Sequence, residues 1–288
     1  MAQVLCPVLE NTDMLGYHSK ARLFLKKVQW RLNALSFGEV PAFVHVPKTG
    51  GTFLSQSETF DQPVLSPMRK LGHVCVTGNP NGRSGIYPPV PGLAQSKVIS
   101  KQKLAKYFAF ATVRNPFTWL VSYAGHAAGW NPKYRNPEHY DYEIANKGFE
   151  YLLKTIAERE GNIWPSRKFI HFQLFADDGA FVVDWINRTE TLRSDLELMA
   201  TTRNYVFRKD AVSQRSGGIK DYRSYYTDEL IDVVKSTWAR ELKLFGYDVD
   251  SLDSESALLK HHIDTETKKR FRYNWSDNTF YVDGNLWE

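Results

Sequence analysis

Phe43-Val44-His45-Val46-Pro47-Lys48-Thr49-Gly50-Gly51-Thr52-Phe53-Leu54 decides how this chain is read. It has the pattern of a buried strand, a tight glycine loop and the start of a helix. Such a junction is a phosphate cradle. Backbone N–H groups at a helix N-terminus point at the anion, and the helix dipole favours negative charge there. Gly50 and Gly51 let the backbone approach with no Cβ in the way. Lys48 adds a mobile cationic point charge. The plainer alternative is an ordinary strand-to-helix turn with a surface lysine. The loop is not a Walker A motif, because the lysine precedes the glycines and the spacing is too short.

A second segment, Tyr107-Phe108-Ala109-Phe110-Ala111-Thr112-Val113, is apolar and aromatic, as suits a buried parallel strand. It runs into Arg114-Asn115-Pro116-Phe117, where Pro116 fits the first turn of a helix. Arg114 therefore stands at the C-terminal end of a strand, where open α/β sheets hold ligands. Ser122 follows about two turns into the helix. An arginine fork and a hydroxyl can share one phosphate. The alternative pairs Arg114 with a carboxylate and leaves Ser122 idle on its helix.

Val46-Pro47-Lys48-Thr49-Gly50-Gly51-Thr52 resembles the 5′-phosphosulfate loop of sulfotransferases that use 3′-phosphoadenosine 5′-phosphosulfate (PAPS), in the Pro-Lys-Thr form of the carbohydrate-type and bacterial members. Arg114 and Ser122 resemble the 3′-phosphate motif of the same family. Leu71-Gly72-His73-Val74-Cys75-Val76 resembles the Gly-His strand of carbohydrate 2-O-sulfotransferases, whose histidine is the base. An idle histidine bonded to a backbone carbonyl is the alternative for His73. The resemblance covers roughly residues 40–250. It implies an α/β, three-layer P-loop-like fold with a mostly parallel sheet flanked by helices.

It also implies roles. Lys48, Thr49, Gly50, Gly51, Thr52 and Phe53 would hold the 5′-phosphosulfate, with Lys48 neutralising charge on the bridging oxygen. Arg114 and Ser122 would anchor the 3′-phosphate. His73 would take the acceptor's proton. Arg215, Ser216 and Lys220, in the segment Ser213–Tyr222, would close over the nucleotide, or else belong to a solvated loop. PAPS is the expected donor, adenosine 3′,5′-bisphosphate (PAP) the product, and no metal is required. The expected acceptor is a hydroxyl or amine of a small soluble molecule, with a natural product favoured. A carbohydrate O-sulfotransferase, a small-molecule kinase and a non-catalytic nucleotide-binding protein remain as alternatives.

Acceptor contacts are sought nearby. His45 alternates along the first strand and faces either the sheet or the site. His126 lies one turn beyond Ser122. Residues 77–96 form a breaker-rich loop containing Tyr87, and a second loop after the Arg114 helix begins at Trp130. The 77–96 loop either borders the acceptor site or is a disordered surface insertion, and the Trp130 loop either recognises the acceptor or packs on the surface. His139, His171, His261 and His262 have no motif around them.

Composition sets bounds. The 288 residues carry 42% apolar content, enough for one large domain with a full core. A single domain over 1–288 is expected, with a helix over 19–36, a core over about 40–250 and an extension over 251–288. No apolar run is long enough to span a membrane, and residues 1–17 do not read as a signal peptide. The expectation is a cytoplasmic protein with no membrane partner. Cys6 and Cys75 are the only cysteines, so neither disulfide nor structural zinc is expected. A net charge of +5 suits a polyanionic nucleotide, and the cations are dispersed, without a nucleic-acid-binding signature.

Further along, a helix is expected over about 146–160 and a strand over Phe181–Ile186, followed by Arg188-Thr189-Glu190-Thr191-Leu192 and an acidic helix to about Ala200. Residues 169–174 read as strand or helix. A long helix is capped by Thr227 and ended by Gly246. Asp283-Gly284 marks a hairpin in the aromatic tail, which packs on the domain, caps the site or mediates a homodimer.

Overall fold

The strands β1 (Pro41–Val44), β2 (Val74–Thr77), β3 (Lys97–Ser100), β4 (Phe108–Val113) and β5 (Trp185–Arg188) carry the architecture of a computed structural model. It describes residues 41–51, 54, 74–77, 97–132, 135–159, 165, 169–205, 221–253, 255–276 and 279–287. All of these lie in Val40–Glu288, one of the two compact units into which the chain divides. The helix expected over 19–36 falls outside the described residues.

β1, β4 and β5 form a parallel sheet in the order β1-β4-β5, with Val44 opposite Ala111 and Val113 opposite Arg188. Every residue of the three strands is buried. Parallel strands covered on both faces read as near-continuous apolar runs, which is why the sequence signal was strong. Alternation then sorts the side chains. Phe43, Phe108, Phe110 and Trp185 pack on one face against Leu196 and Met199 of α5 (Leu192–Arg203). Ala42, Val44, Ala109, Ala111, Val113 and Ile186 take the other face, under α2 (Pro116–Ala127) and α4 (Phe149–Glu158). Small residues on that face leave room for Trp119 and Tyr123 of α2. β2 and β3 pair in parallel as a second sheet, followed by the short α1 (Lys101–Leu104).

The chain beyond 250 packs back on this unit. Ile186 N–H donates to the His261 carbonyl at 2.9 Å and Ile263 N–H to that of Asp184 at 2.9 Å, with Trp185 opposite His262. This antiparallel stretch covers the β5 edge, which would otherwise offer unpaired backbone groups. After α8 (Thr265–Arg270), an antiparallel meander of β6 (Phe271–Asn274), β7 (Thr279–Val282) and β8 (Asn285–Leu286) follows. Asp283 and Gly284, at φ 55° and 79°, make the two-residue turn expected of Asp-Gly. Phe280 seats the meander on Phe169 and Phe175, with ring centroids 5.7 and 5.4 Å away.

Two elements differ from the sequence reading. The expected strand Phe181–Ile186 is displaced to Trp185–Arg188. Asp184 begins the pairing: its N–H donates to Ala109 O at 2.6 Å and its Oδ2 accepts from Ala109 N–H at 2.7 Å. Phe181 instead bridges to Phe175. The helix expected over about 146–160 is α4, which starts after Gly148 (φ 117°), and the short α3 (Tyr142–Asn146) precedes it. The long helix from Thr227 to Gly246 divides at Trp238 (φ −115°, ψ 27°) into α6 (Asp228–Thr237) and α7 (Ala239–Phe245). Both of its caps hold. Thr227 accepts from Leu230 N–H, and Gly246 is left-handed at φ 72°. Residues 172–174 are a 3₁₀ turn. Among the described residues no helix is long and apolar enough to cross a membrane.

Candidate functional site: a cationic loop at the strand ends

The loop after β1 is held by its carbonyls. Thr49 Oγ1 donates to Val46 O at 2.8 Å, Trp119 Nε1 to Pro47 O at 2.8 Å, and Arg114 Nη1 to Lys48 O at 3.1 Å. Leu54 N–H donates to Gly50 O at 3.2 Å as the following helix begins. Among the described residues, no acceptor takes the N–H of Lys48, Thr49, Gly50 or Gly51. Acceptors are thus tied back while consecutive donors are left over, the arrangement of an anion-binding nest. Lys48 and Gly50 at φ 66° and 86° give the loop its turn. A lysine in the left-handed region is uncommon, and here a bond to its own carbonyl holds it there.

The glycines are needed for space as well. A Cβ on Gly50 would come to 2.9 Å from Leu192 Cδ2, and one on Gly51 to 2.0 Å from His45 Nε2. His45 is therefore buried beneath the loop, beside Phe43 at 5.5 Å between ring centroids. Of the two orientations left open, it takes the one under the glycines.

Arg114 occupies the end of β4, next to the loop. Its Nε donates to Thr118 Oγ1 at 2.9 Å. Thr118 in turn donates to Glu190 Oε1 at 3.1 Å, which also accepts from Asn115 N–H at 3.0 Å. Tyr247 donates to Glu190 Oε2 at 2.9 Å. The Arg188–Leu192 segment thus supports the Arg114 turn through Glu190. Asn115 caps α2, its Oδ1 accepting from Phe117 N–H at 3.1 Å, with Pro116 in the first turn as expected. Behind it, Arg114 N–H donates to His171 Nε2 at 3.0 Å. His171 Nδ1 lies 2.5 Å from Glu241 Oε1. Since Nε2 accepts, the proton sits on Nδ1 and is donated to Glu241, a tautomer assigned from this network.

Electrostatics follow from burial. Lys48 is pushed down from 10.5 to about 8 by burial and then by the neighbouring Arg114. Burial also lowers Arg114, and Glu190 opposes that effect. Lys48 has no carboxylate partner among the described residues. Two half-buried cations held together are costly unless an anion joins them.

α2 presents two stripes to this region. Thr118, Ser122 and Gly125 continue from Arg114, and Trp130 folds back over Gly125, where a Cβ would lie 2.6 Å from its ring. Trp130 is exposed and stacks on Tyr225 at 5.5 Å. Ser122 is half-buried on the stripe that continues from Arg114. The second stripe is Trp119, Tyr123 and His126. Trp119 stacks on Tyr123 at 5.1 Å. Tyr123 donates to Asp141 Oδ2 at 2.6 Å, and Arg159 Nη2 reaches Asp141 Oδ1 at 2.5 Å. Exposed His126 meets His139 edge-on at 5.5 Å.

The structure therefore brings Lys48, Thr49, Gly50, Gly51 and Arg114 together, with Ser122 and His126 on the adjoining helix. Thr52, Phe53, His73, Tyr87, Arg215, Ser216 and Lys220 lie outside the described residues. The strand expected to follow His73 is β2. Trp119, His171 and His139 were missed, and no local motif marks them, whereas Glu190 belongs to the Arg188–Leu192 segment that the sequence sets apart. Thr118 had a readable signal, a hydroxyl in the first turn of the helix that follows Arg114. In comparisons with protein-family models, curated proteins and solved structures, nothing matches the chain.

Proposed function

We propose that this chain is a PAPS-dependent sulfotransferase with a three-layer P-loop-like core, acting on a hydroxyl or amine of a small soluble acceptor. One observation carries the reading. The loop's carbonyls are tied to Thr49, Trp119 and Arg114, and among the described residues its N–H groups are left for an anion beside two half-buried cations. The adjacency of β1 and β4 supports it further, because it puts the two phosphate motifs at neighbouring strand ends.

In this mechanism the loop N–H groups, that of Thr49 among them, hold the 5′-phosphosulfate together with Lys48, and Arg114 with Ser122 anchors the 3′-phosphate. That fixes the sulfur in line with the acceptor. The acceptor's oxygen or nitrogen forms the new bond to sulfur as the bond to the bridging oxygen breaks. The bridging oxygen keeps the electron pair and leaves as part of the PAP 5′-phosphate. Lys48 stabilises its growing charge. The acceptor's proton passes to a base, for which His73 is the candidate.

The test is a thermal melt with PAP and, separately, with ADP plus magnesium. A ligand at about a hundred times its dissociation constant stabilises by roughly 2.7 kcal/mol. Stabilisation by PAP without magnesium, lost in Arg114→Ala, is the expected result. Stabilisation by ADP and magnesium alone would replace this reading with phosphoryl transfer. PAP binding with no turnover across an acceptor screen would leave a non-catalytic binding protein.

A further inference from the structure

Resting on the reading of the Lys48 loop as an anion site, we propose that His139 is a substrate-contacting residue, donating its Nε2–H to an oxygen of the transferred sulfuryl group. Nothing in the sequence around His139 marks it. Its placement does. The ring stacks on Tyr140 at 4.7 Å and meets Tyr123 and His126 edge-on at 5.9 and 5.5 Å. Tyr123 is the residue on which Trp119 stacks, and Trp119 holds the Pro47 carbonyl. His139 thus stands in a continuous run of rings that ends at the loop.

Its proton is placed by the backbone. Asp141 N–H donates to His139 Nδ1 at 3.1 Å, so Nδ1 carries the lone pair and Nε2 the hydrogen. Imidazolium would set a second N–H against the Asp141 amide. His139 is thereby unsuited to be a base, and its role differs from that sought for His73. It is suited to be a neutral, fixed donor, which adds a hydrogen bond to an anion without repelling Lys48. Among the described residues, no other group bonds to Nε2.

The surrounding charges agree. Burial lowers the His139 pKa, Asp141 opposes this, and Lys48 lowers it further, so the lysine's field reaches the ring. Asp141 itself is engaged by Arg159 and Tyr123, and Tyr140 donates to the Tyr123 hydroxyl at 3.0 Å. Among the described residues, His126 also faces the ring.

Long-range ¹H–¹⁵N spectra of ¹⁵N-histidine-labelled protein test the assignment between pH 6 and 8, first with PAP and then with PAPS. The expected result is a neutral Nε2–H His139 whose Nε2 resonance moves on exchanging PAP for PAPS. His139→Phe, which keeps a ring on Tyr140, should weaken PAPS at least tenfold and leave PAP affinity unchanged, and His139→Gln should recover part of the loss. Imidazolium or Nδ1–H at pH 7, an Nε2 resonance indifferent to PAPS, or equal PAPS affinity in His139→Phe overturns the proposal. Should PAP and PAPS both fail to bind the wild-type chain, the nucleotide reading falls. Inorganic sulfate then decides for His139: a Nε2 shift abolished by Lys48→Met sustains the contact, and no shift removes it.

Discussion

Arg114 donates from Nη1 to the Lys48 carbonyl at 3.1 Å, joining two motifs that are 66 residues apart. The same guanidinium is braced by Thr118 through Nε, so both edges of the fork are oriented by the protein. A lysine has no such fork. Arg114→Lys should therefore fold and yet lose PAP affinity by tenfold or more, close to the loss in Arg114→Ala. Isothermal titration with PAP measures it. An Arg114→Lys variant that binds like wild type would mean that charge alone suffices and the bond to Lys48 is incidental.

Lys48 makes the site sensitive to pH. Its folded pKa, about 8, lies below the ordinary 10.5, so between those values the unfolded chain binds more protons than the folded one. Stability from this group therefore rises with pH across about 8 to 10.5, and the cost of the buried charge is fully present below 8. The difference in melting temperature between wild type and Lys48→Met, measured from pH 7 to 10, should show wild type gaining on the variant as pH rises. An anion bound at the loop favours protonated Lys48, so PAP affinity should decline above about pH 8. A wild-type affinity independent of pH through this window would place the nucleotide away from Lys48.

How far such a site can be read in advance depends on the range of its interactions. The Pro47–Gly51 loop, Pro116 in the first turn of α2, the Thr227 and Gly246 caps and the Asp283-Gly284 turn are each decided within a few residues. Sequence alone shows them. Trp119 to Pro47, Glu190 to Asn115 and His171 to Arg114 span 72, 75 and 57 residues. Those contacts have no periodicity to detect, because they exist only once β1, β4 and β5 align. His139 belongs to the same class. The division of the long helix at Trp238 was hidden for a related reason, since helical propensity on both sides of the break is good and tertiary packing decides.

Trp119→Phe separates packing from bonding. The phenyl ring can keep the stack on Tyr123, but the donor to Pro47 O is lost and a buried carbonyl is left unpaired. That costs about 1–3 kcal/mol. The freed carbonyl also relaxes the loop, so PAP affinity should fall several-fold beyond what the stability loss explains. Urea unfolding and PAP titration on the same variant check both parts. Unchanged affinity would show that the loop keeps its shape without the indole.

Asp141 and Arg159 form a buried pair, with Asp141 side-chain exposure of 1% and Arg159 of 11%. Tyr123 donates to the same carboxylate. Asp141→Asn preserves size but leaves the guanidinium without its counter-charge, which costs about 3–5 kcal/mol for a pair this buried. Arg159→Met with Asp141→Asn together should recover part of that loss, because no lone charge remains. Denaturant midpoints for the two single variants and the double variant supply the cycle. Additive losses would mean that the two groups do not interact.

Gly51 and His45 offer the sharpest steric test. A Cβ at Gly51 would overlap the His45 ring, with 2.0 Å to Nε2 and 2.4 Å to Cδ2. The imidazole is buried and cannot swing into solvent. Gly51→Ala should thus destabilise strongly, or shift the start of the helix and disable the loop. Replacing His45 by alanine removes the obstacle and opens a small cavity, with a cost of its own. If the clash is the cause, the double variant is more stable than the sum of the single losses predicts, by about 0.5–3 kcal/mol as contacting residues commonly couple. Thermal melts of the four proteins give the coupling directly. A coupling of zero would show that Gly51 is required for its open N–H and close approach to the anion, and not for the space that His45 fills.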